Sequence, residues 1–552
     1  MRTPYEPGTR CLLIQSRFSD SSFWNYVDVC KLVGAKYPAA PLGLMTVAAL
    51  LPQEWEFKLV DANVEPLLDA HFEWADIVCT GGMLPQQHGI RAVIERAHRH
   101  GCPVVVGGPD PTSQPALYDA ADYRVLGEGE ATIPLFLQDL ERGATSGTYR
   151  SADRPDMTQA VVPRFDLIRF RDYVQVGIQF SRGCPFNCEF CDIIQLYGRQ
   201  FRSKTPAQVL AELQALYDLG YRGHVDFVDD NFVGNKTRVK QLLPALRAWS
   251  RAHGYPFYFT TEASLELAGD DELLRMMRDV DFRFVFIGIE TPEEAVLAAI
   301  HKKQNLKTPV ARSVRKLSAY GMTVNGGFIL GFDNESERIA DHMIECIQSS
   351  GICMAMLGTL YALPNTQLTQ RLEREGRLFE QGSTIRNHHT DVDQMTSGLN
   401  FITARPRLDI LTDYARVLKH IYEPRHYFAR VTHAGLHLKP ANKYRPSFFK
   451  RLRTLKAFLK VCRQLGLNRR TGRLYWKMLL TVLLRNPRAI EQAVNLAAMF
   501  IHFDRQSRFI VETMNGKIEH IENHSEEHYN QLMLQEAAGA NASRQFSSVL
   551  VE

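Results

Sequence analysis

Cys184, Cys188 and Cys191 stand within the stretch Ser181-Arg-Gly-Cys-Pro-Phe-Asn-Cys-Glu-Phe-Cys-Asp192. A C-x3-C-x2-C spacing puts three thiolates on one short loop, able to hold three irons of a [4Fe-4S] cube and leave the fourth iron without a protein ligand. An open iron is a place where a small molecule can be bound and reduced. A zinc site reads differently, because zinc takes four nitrogen or sulfur ligands, usually as two separated pairs, and no second pair stands near this run. The other cysteines, Cys11, Cys30, Cys79, Cys102, Cys346, Cys353 and Cys462, are scattered without a pairing pattern. That is the pattern of small core thiols in a reducing compartment.

The loop needs a scaffold, and the chain after it supplies repeated strand–helix units. Val225–Phe232 follows an amphipathic helix at Pro206–Leu219, and Tyr258–Ser264 follows a helix around Lys240–His253. Phe284–Thr291, Val324–Asp333 and Met354–Tyr361 continue the series. With the strand before the cysteines this predicts a partial (β/α)6 barrel over residues 171–385, open on one side. Barrels place functional side chains at the C-terminal ends of their strands, and Asp229, Asp230, Asn231, Glu262 and Glu290 fall there. The plain alternative for each carboxylate is a strand-end cap or a solvent-facing charge.

Residues 8–145 alternate apolar runs, Cys11–Ile14, Phe57–Asp61, Ile77–Gly81 and Val104–Gly108, with helical stretches at Leu42–Leu51, Val64–His71 and Gly89–His100. Uninterrupted apolar strands predict a parallel, Rossmann-like sheet covered on both faces. Ligands of such sheets lie beyond the carboxyl ends of the strands, where Asp61, Gly81, Gly82, Gly107 and Gly108 stand. Residues 146–170 read as a linker.

At 552 residues the chain is too long for one core, and three or four units are expected. A composition of 45% hydrophobic and 23% charged residues is that of an ordinary globular protein. The N-terminal decapeptide has no apolar signal region, and no run approaches the roughly 18 apolar residues that cross a bilayer. The expectation is a cytoplasmic protein, with peripheral contact at the inner face of a membrane left open. Residues 386–515 read as helical and basic. Lys439 to Arg488 holds fifteen Lys or Arg and no Asp or Glu, interleaved with Phe448, Phe449, Leu455, Phe458, Trp476 and Leu479, although the whole chain is only +4. Three readings stay open: a cap with a solvated basic face, a membrane or lipid contact, and a nucleic-acid contact as the least favoured. Residues 516–552 are polar and read as a flexible tail.

The cluster loop, with Arg-Gly before its first cysteine and Phe190 before its third, resembles the signature of the radical S-adenosylmethionine (radical SAM) enzymes. The ordered set Pro41-Leu-Gly-Leu, Val60-Asp-Ala-Asn, Gly107-Gly-Pro and Val125-Leu-Gly-Glu-Gly-Glu130 looks like the cobalamin-binding domain that precedes the barrel in one large subfamily. Cys184–Tyr197, Asp229–Asn235, Gly288–Pro292 and Gly331–Asp333 resemble one branch of it, which ends in an uncharacterised C-terminal domain and includes the hopanoid C-2 methylase.

The resemblance implies that the three cysteines hold the cluster and that SAM chelates the open iron. One electron, from a reductant such as ferredoxin or flavodoxin, then cleaves SAM to a 5′-deoxyadenosyl radical. Asp229, Asp230 and Asn231 occupy the place of the family's motif for the SAM amino group. Glu262 and Glu290 match polar positions facing SAM or substrate, and Gly327 to Gly331 resembles the strand lying against adenine. Cobalamin is expected along Asp61, Asn63, Gly81, Gly82, Gly107, Gly108, Gly127 and Glu128. One departure stands out: many cobalamin domains carry Asp-x-His-x-x-Gly, and the comparable place here reads Asp61-Ala-Asn63-Val-Glu-Pro66, with no histidine for cobalt. Methylthiolating relatives carry a second cluster on the N-terminal domain, but Cys11 and Cys79 lie in strand-like runs and read as core thiols. The implied reaction is methyl transfer to an unactivated carbon of a small-molecule or lipid substrate. An oxidative cyclisation or rearrangement, or a non-enzymatic cofactor sensor, are the alternatives.

Overall fold

The computed structural model describes residues 6–18, 22, 25–306, 309–379 and 395–533. Its first strands are β1 (Arg10–Gln15), β2 (Tyr37–Ala39), β3 (Glu56–Asp61), β4 (Ile77–Gly81), β5 (Val104–Gly107), β6 (Tyr123–Leu126) and β7 (Gly147–Arg150). All but β2 form one parallel sheet in the order β3-β1-β4-β5-β6-β7. Alternate residues serve two cores. Cys11, Leu13, Ile77 and Cys79 pack with Leu44, Ala48 and Phe136, whereas Leu12, Ile14, Val78 and Val104 pack with Phe72, Ile90 and Ile94. A strand apolar on both faces is what a helix-covered parallel sheet requires. The thiols of Cys11 and Cys79 sit 3.7 Å apart inside the first of these cores.

Two local expectations need correction. β7 carries the sheet beyond residue 145 into the stretch read as linker, because Tyr149 is buried against Phe136 with ring centroids 5.7 Å apart. The helix expected at Val64–His71 starts later, at Asp69–Trp74. The Asp61 carbonyl instead takes the amides of Val64 and Glu65 in a turn, and Pro66 has no amide with which to extend a helix.

The second sheet uses β8 (Tyr173–Ile178), then, after the short antiparallel pair β9 (Ser181–Arg182) and β10 (Arg202–Ser203), β11 (Gly223–Phe227), β12 (Phe257–Ala263), β13 (Phe282–Glu290), β14 (Thr323–Leu330) and β15 (Ala355–Thr359). Its order is β15-β14-β13-β12-β11-β8-β2, with every pairing parallel. The six expected strands are therefore joined by a seventh from the N-terminal stretch: β2 pairs Tyr37 with Tyr173 and Ala39 with Gln175. A three-residue Tyr-Pro-Ala strand has no alternation to read, so it passes for a loop in sequence. β2 and β15 are the two edges of an unclosed barrel. Tyr26, just before the helix Val27–Val33, reaches β15 through its hydroxyl on Met356 Sδ at 3.6 Å and meets His502 edge-on.

The C-terminal region consists of the helices Arg407–Ile421, Pro424–His437, Phe448–Val461, Gly472–Arg485 and Ile490–His524. The last of these overturns the loose tail expected from 516. Leu496, Phe500, Phe503, Ile510, Met514 and Ile521 line its buried side, helical turns resume at 526–533, and Glu526 accepts the amide of Arg407 at 2.8 Å. The start of the domain expected at 386, and residues 534–552 of the expected tail, lie outside the described residues. Among the described residues no helix is long and apolar enough to cross a membrane.

Candidate active site

β9 and β10 clamp the two ends of the cysteine loop to each other, Arg182 opposite Arg202 and Ser181 opposite Ser203. Gly183 turns into the loop at φ 86°, a backbone region open to glycine, and its amide donates to Asp230 Oδ2 at 2.8 Å. Asn231 Nδ2 lies 3.9 Å from Cys184 Sγ, and Gln304 Nε2 lies 3.5 Å from Cys188 Sγ. Amide donors aimed at sulfur suit thiolates carrying negative charge. Among the described residues no three His, Cys, Asp or Glu side chains converge on one ion-sized point, the loop cysteines included. Burial pushes the thiols of Cys184 and Cys191 up.

The strand-end polar residues divide into two kinds. Asp229 accepts from the Phe180 amide at 3.2 Å and from the amide and hydroxyl of Ser181, and so fixes the turn from β8 into β9. Burial raises Asp229 to about 7 and Asp230 to about 6. Both carboxylates bond the loop's own backbone. By contrast Asn231 Oδ1 and Glu262 Oε2 are buried with no hydrogen-bond partner. Burial, with Asp226 adding to it, pushes the Glu262 carboxyl well up. Orphaned buried acceptors cost free energy unless something fills them, and both fit the ammonium or hydroxyl donors of a ligand such as SAM.

Glu290 is held differently. A register shift between β13 and β14 at Gly288/Glu290 and a φ of 63° turn it inward, where it pairs with Lys302. Lys302 also lies over the Phe190 ring at 5.7 Å, and Phe190 meets Phe332 edge-on. Lys302, Gln304 and Asp226 were not singled out in the sequence. Lys302 and Gln304 arrive through the short return after Glu294–Ala299, and the one available signal was Asp226 lying within the strand that precedes Asp229. Gly327 packs against Phe286, where a Cβ would come within 2.9 Å of the ring, and the Gly331 amide donates to Glu335 at 2.8 Å.

On the other side of the cleft stand the strand ends of the first sheet. Gly127 follows β6 at φ 94° and faces open space, and Glu128 next to it is buried. Glu128 and Glu130 take Arg182 at 2.9 and 2.8 Å, and Glu128 also takes Arg202 at 2.7 Å. The carboxyl ends of the first sheet are thus fastened to the mouth of the barrel, beside the cysteine loop. Gly81, Gly82, Gly107 and Gly108 serve the packing of the strand ends among themselves: a Cβ on Gly107 would approach the Val125 carbonyl to 2.7 Å and one on Gly108 the Gly82 amide to 3.0 Å. Asp61 and Asn63 form a strut. Asp61 accepts from the Asn63 backbone and side chain and from the Tyr173 hydroxyl at 2.9 Å, while Asn63 accepts from the Phe18 amide at 2.9 Å. A separate cavity of about 720 Å³ lies by the open side of the barrel, lined by Lys31, Tyr37, Asn63, Val64, His502 and Gln506 among others. No residue of the cysteine loop lines it.

A parallel sheet presenting its strand ends to a partial barrel that carries a three-cysteine loop defines a two-cofactor enzyme class. Comparison with known proteins fills in that class. Residues 32–137 match the B12 binding domain, residues 178–347 the Radical SAM superfamily, and residues 366–515 a domain of unknown function, DUF4070. An uncharacterized methyltransferase of Synechocystis sp. is 43% identical over 92% of this chain and 94% of its own. The hopanoid C-2 methylase of Rhodopseudomonas palustris is 35% identical over 87% of this chain and 90% of its own. Among solved structures, the cobalamin-dependent S-adenosylmethionine radical enzyme OxsB with aqua-cobalamin bound superposes at a TM-score of 0.55 with 14% identity, over 96% of this chain and 84% of that one. The radical SAM methyltransferase TsrM of Kitasatospora setae reaches 0.53 with 16% identity, over 67% and 75%. The chain belongs to the cobalamin-dependent radical SAM methyltransferases, in the branch that carries DUF4070 and includes the hopanoid C-2 methylase. Its cofactors are a [4Fe-4S] cluster, SAM and cobalamin.

Proposed function

We propose that this methyltransferase acts on an unactivated carbon of a hydrophobic, hopanoid-like lipid. The observation that carries the two-cofactor arrangement is the ion-pair set in which Glu128 and Glu130, at the end of β6, hold Arg182 two residues before Cys184. It supports one shared cleft between the first sheet and the barrel mouth. The lipid rests on the 35% identity to a hopanoid C-2 methylase across most of both chains.

When bound, the cluster with SAM supplies a hydrogen-abstracting radical, and cobalamin supplies the methyl group. In this reading Cys184, Cys188 and Cys191 hold the cluster, with Asn231 and Gln304 donating toward its sulfurs. Glu262 accepts from the hydroxyls or ammonium of SAM. Glu290 is held in its ion pair with Lys302. Phe190 and Phe332 keep water from the cluster side of the cleft, since a carbon radical attacks whatever is nearest and placement is the protein's main contribution. On the other wall, Gly127 and Glu128 face cobalamin, and Asp61 and Asn63 brace that wall against β8 rather than ligating cobalt. A reductant such as ferredoxin or flavodoxin supplies the electron, and the protein works in the cytoplasm.

The test is lipid mass spectrometry of a host expressing the wild-type protein or Cys184→Ala and fed methyl-deuterated methionine. A lipid that gains an intact trideuteromethyl group only with the wild type is the expected result. An altered lipid without the label would favour cyclisation or rearrangement, and labelled polar metabolites in place of lipids would overturn the lipid reading.

A further inference from the structure

Ten of the sixteen exposed large apolar side chains among the described residues fall between Phe448 and Leu484. In the helix Phe448–Val461 they recur as Phe448, Leu452, Leu455 and Leu459, a spacing of three and four that makes one continuous stripe. In the helix Gly472–Arg485 they recur as Trp476, Leu480, Leu483 and Leu484. These are not the faces that hold the helices to the protein. That work is done by Ala457 and Val461 in the first helix and by Tyr475, Met478, Leu479 and Val482 in the second, all buried. Each helix therefore has a second apolar side turned outward: Phe449 is 81% exposed, Leu459 58% and Leu484 81%.

The charge beside these stripes has one sign. Lys456, Arg463, Arg469, Arg473, Lys477 and Arg485 have no acidic partner among the described residues, and no Asp or Glu occurs from Lys439 to Arg488. Not every cation of the segment is spent outward, for Lys450 bonds the Arg222 carbonyl at 2.8 Å and Arg470 lies 3.5 Å from Asp504. A nucleic-acid surface would need the cations but not two stripes of leucine and phenylalanine. A solvated cap would need neither stripe. Cations flanking exposed Leu, Phe and Trp are complementary to an anionic bilayer surface, where the apolar side enters the acyl boundary and the cations meet the headgroups.

We propose that the helices Phe448–Val461 and Gly472–Arg485 form a docking face for an anionic lipid bilayer, lying in its surface without crossing it. The face is joined to the open side of the barrel. The Lys460 ammonium bonds the Lys31 carbonyl at 3.3 Å and Arg453 bonds that of Val33, so the first basic helix lies against Val27–Val33. Lys31 of that same helix lines the cavity of about 720 Å³ beside the barrel gap. A bilayer held on the face would thus stand next to that cavity, which extends the lipid reading of the substrate and rests on it for its purpose only.

The test is sedimentation of the full-length protein with sucrose-loaded vesicles of phosphatidylcholine alone and of phosphatidylcholine with about 30% phosphatidylglycerol. The expected result is strong binding to the second and weak binding to the first. Leu455→Asp, Leu459→Asp and Leu484→Asp together should raise the lipid concentration for half-binding roughly tenfold or more, with an unchanged circular dichroism spectrum because all three side chains are exposed. Lys456→Glu with Lys477→Glu should weaken binding and flatten its salt dependence. Equal sedimentation of wild type and triple variant, or no binding to either vesicle, would overturn the proposal. So would displacement from vesicles by a DNA duplex at equal concentration, or a lipid-free dimer in sedimentation velocity that the triple variant abolishes. No turnover enters the readout, so failure here leaves methyl transfer standing, and failure of methyl transfer leaves the face standing.

Discussion

Arg182 meets Glu130 through two parallel hydrogen bonds of 2.8 Å, one from each terminal guanidinium nitrogen to each carboxylate oxygen. The pair joins the last turn before the cysteine loop to the first turn after β6, and so links the two halves of the site by the planar geometry that arginine alone offers a carboxylate. The two side chains are only 12% and 9% exposed, and the loss of water works against the charge of each. Their attraction prevails: Arg182 is raised and Glu130 lowered from their ordinary values.

Arg182→Met should leave Glu128 and Glu130 buried with one cation fewer. Removing one member of a buried pair costs about 3–5 kcal/mol. Because Glu128 keeps Arg202, we expect about 3 kcal/mol, read as a lower urea midpoint of the cofactor-free protein. Arg182→Lys should recover less than half, because a single ammonium cannot reproduce the fork.

Glu262 should show opposite effects on stability and on binding. Its Oε2 atom is buried without a partner, so Glu262→Leu is expected to stabilise the cofactor-free chain by about 1–2 kcal/mol. The same change should weaken SAM binding about tenfold or more while iron content stays at the wild-type level. Equilibrium dialysis of SAM and an iron assay on the same preparation check both.

Acid should destabilise the fold through two histidines. Burial, with Lys450 and Arg283 nearby, lowers His224 to about 3, and burial lowers His502 to about 4. Below about pH 6.5 the unfolded chain protonates both while the folded chain protonates neither. The contribution of each histidine to stability therefore falls with falling pH, by about 1.4 kcal/mol per pH unit, until the folded values are reached. His224→Gln and His502→Gln should each make the urea midpoint fall less, or rise more, from pH 6.5 to 5 than in the wild type, with the two effects adding in the double variant, while Asp229 and Asp230, raised to about 7 and about 6, contribute with the opposite sign in every variant.

Much of this arrangement was legible in the sequence because it rests on local patterns. The cysteine spacing announced the cluster loop, and runs such as Val104-Val-Val announced strands buried on both faces. What was not legible depends on partners distant in sequence. β2 is a strand only because Tyr173 lies beside Tyr37, and Lys302 belongs to the site only because a register shift turns Glu290 inward. Glycines at strand ends suggested a ligand, and only the folded sheet shows that Gly81 and Gly107 also lie against neighbouring carbonyls. The last helix was missed beyond Asn515 because Ile518 and Ile521 are sparse among charged residues, and only the surface that receives them reveals their side as buried.

The most direct test of methyl transfer uses the purified protein reconstituted with iron, sulfide and cobalamin. It is given a reductant, a bacterial lipid extract and SAM labelled with deuterium at its methyl group. The account predicts a lipid carrying an intact trideuteromethyl group, formed together with 5′-deoxyadenosine, with neither product formed by Cys184→Ala. Formation of 5′-deoxyadenosine with the lipids present and no labelled lipid would contradict it.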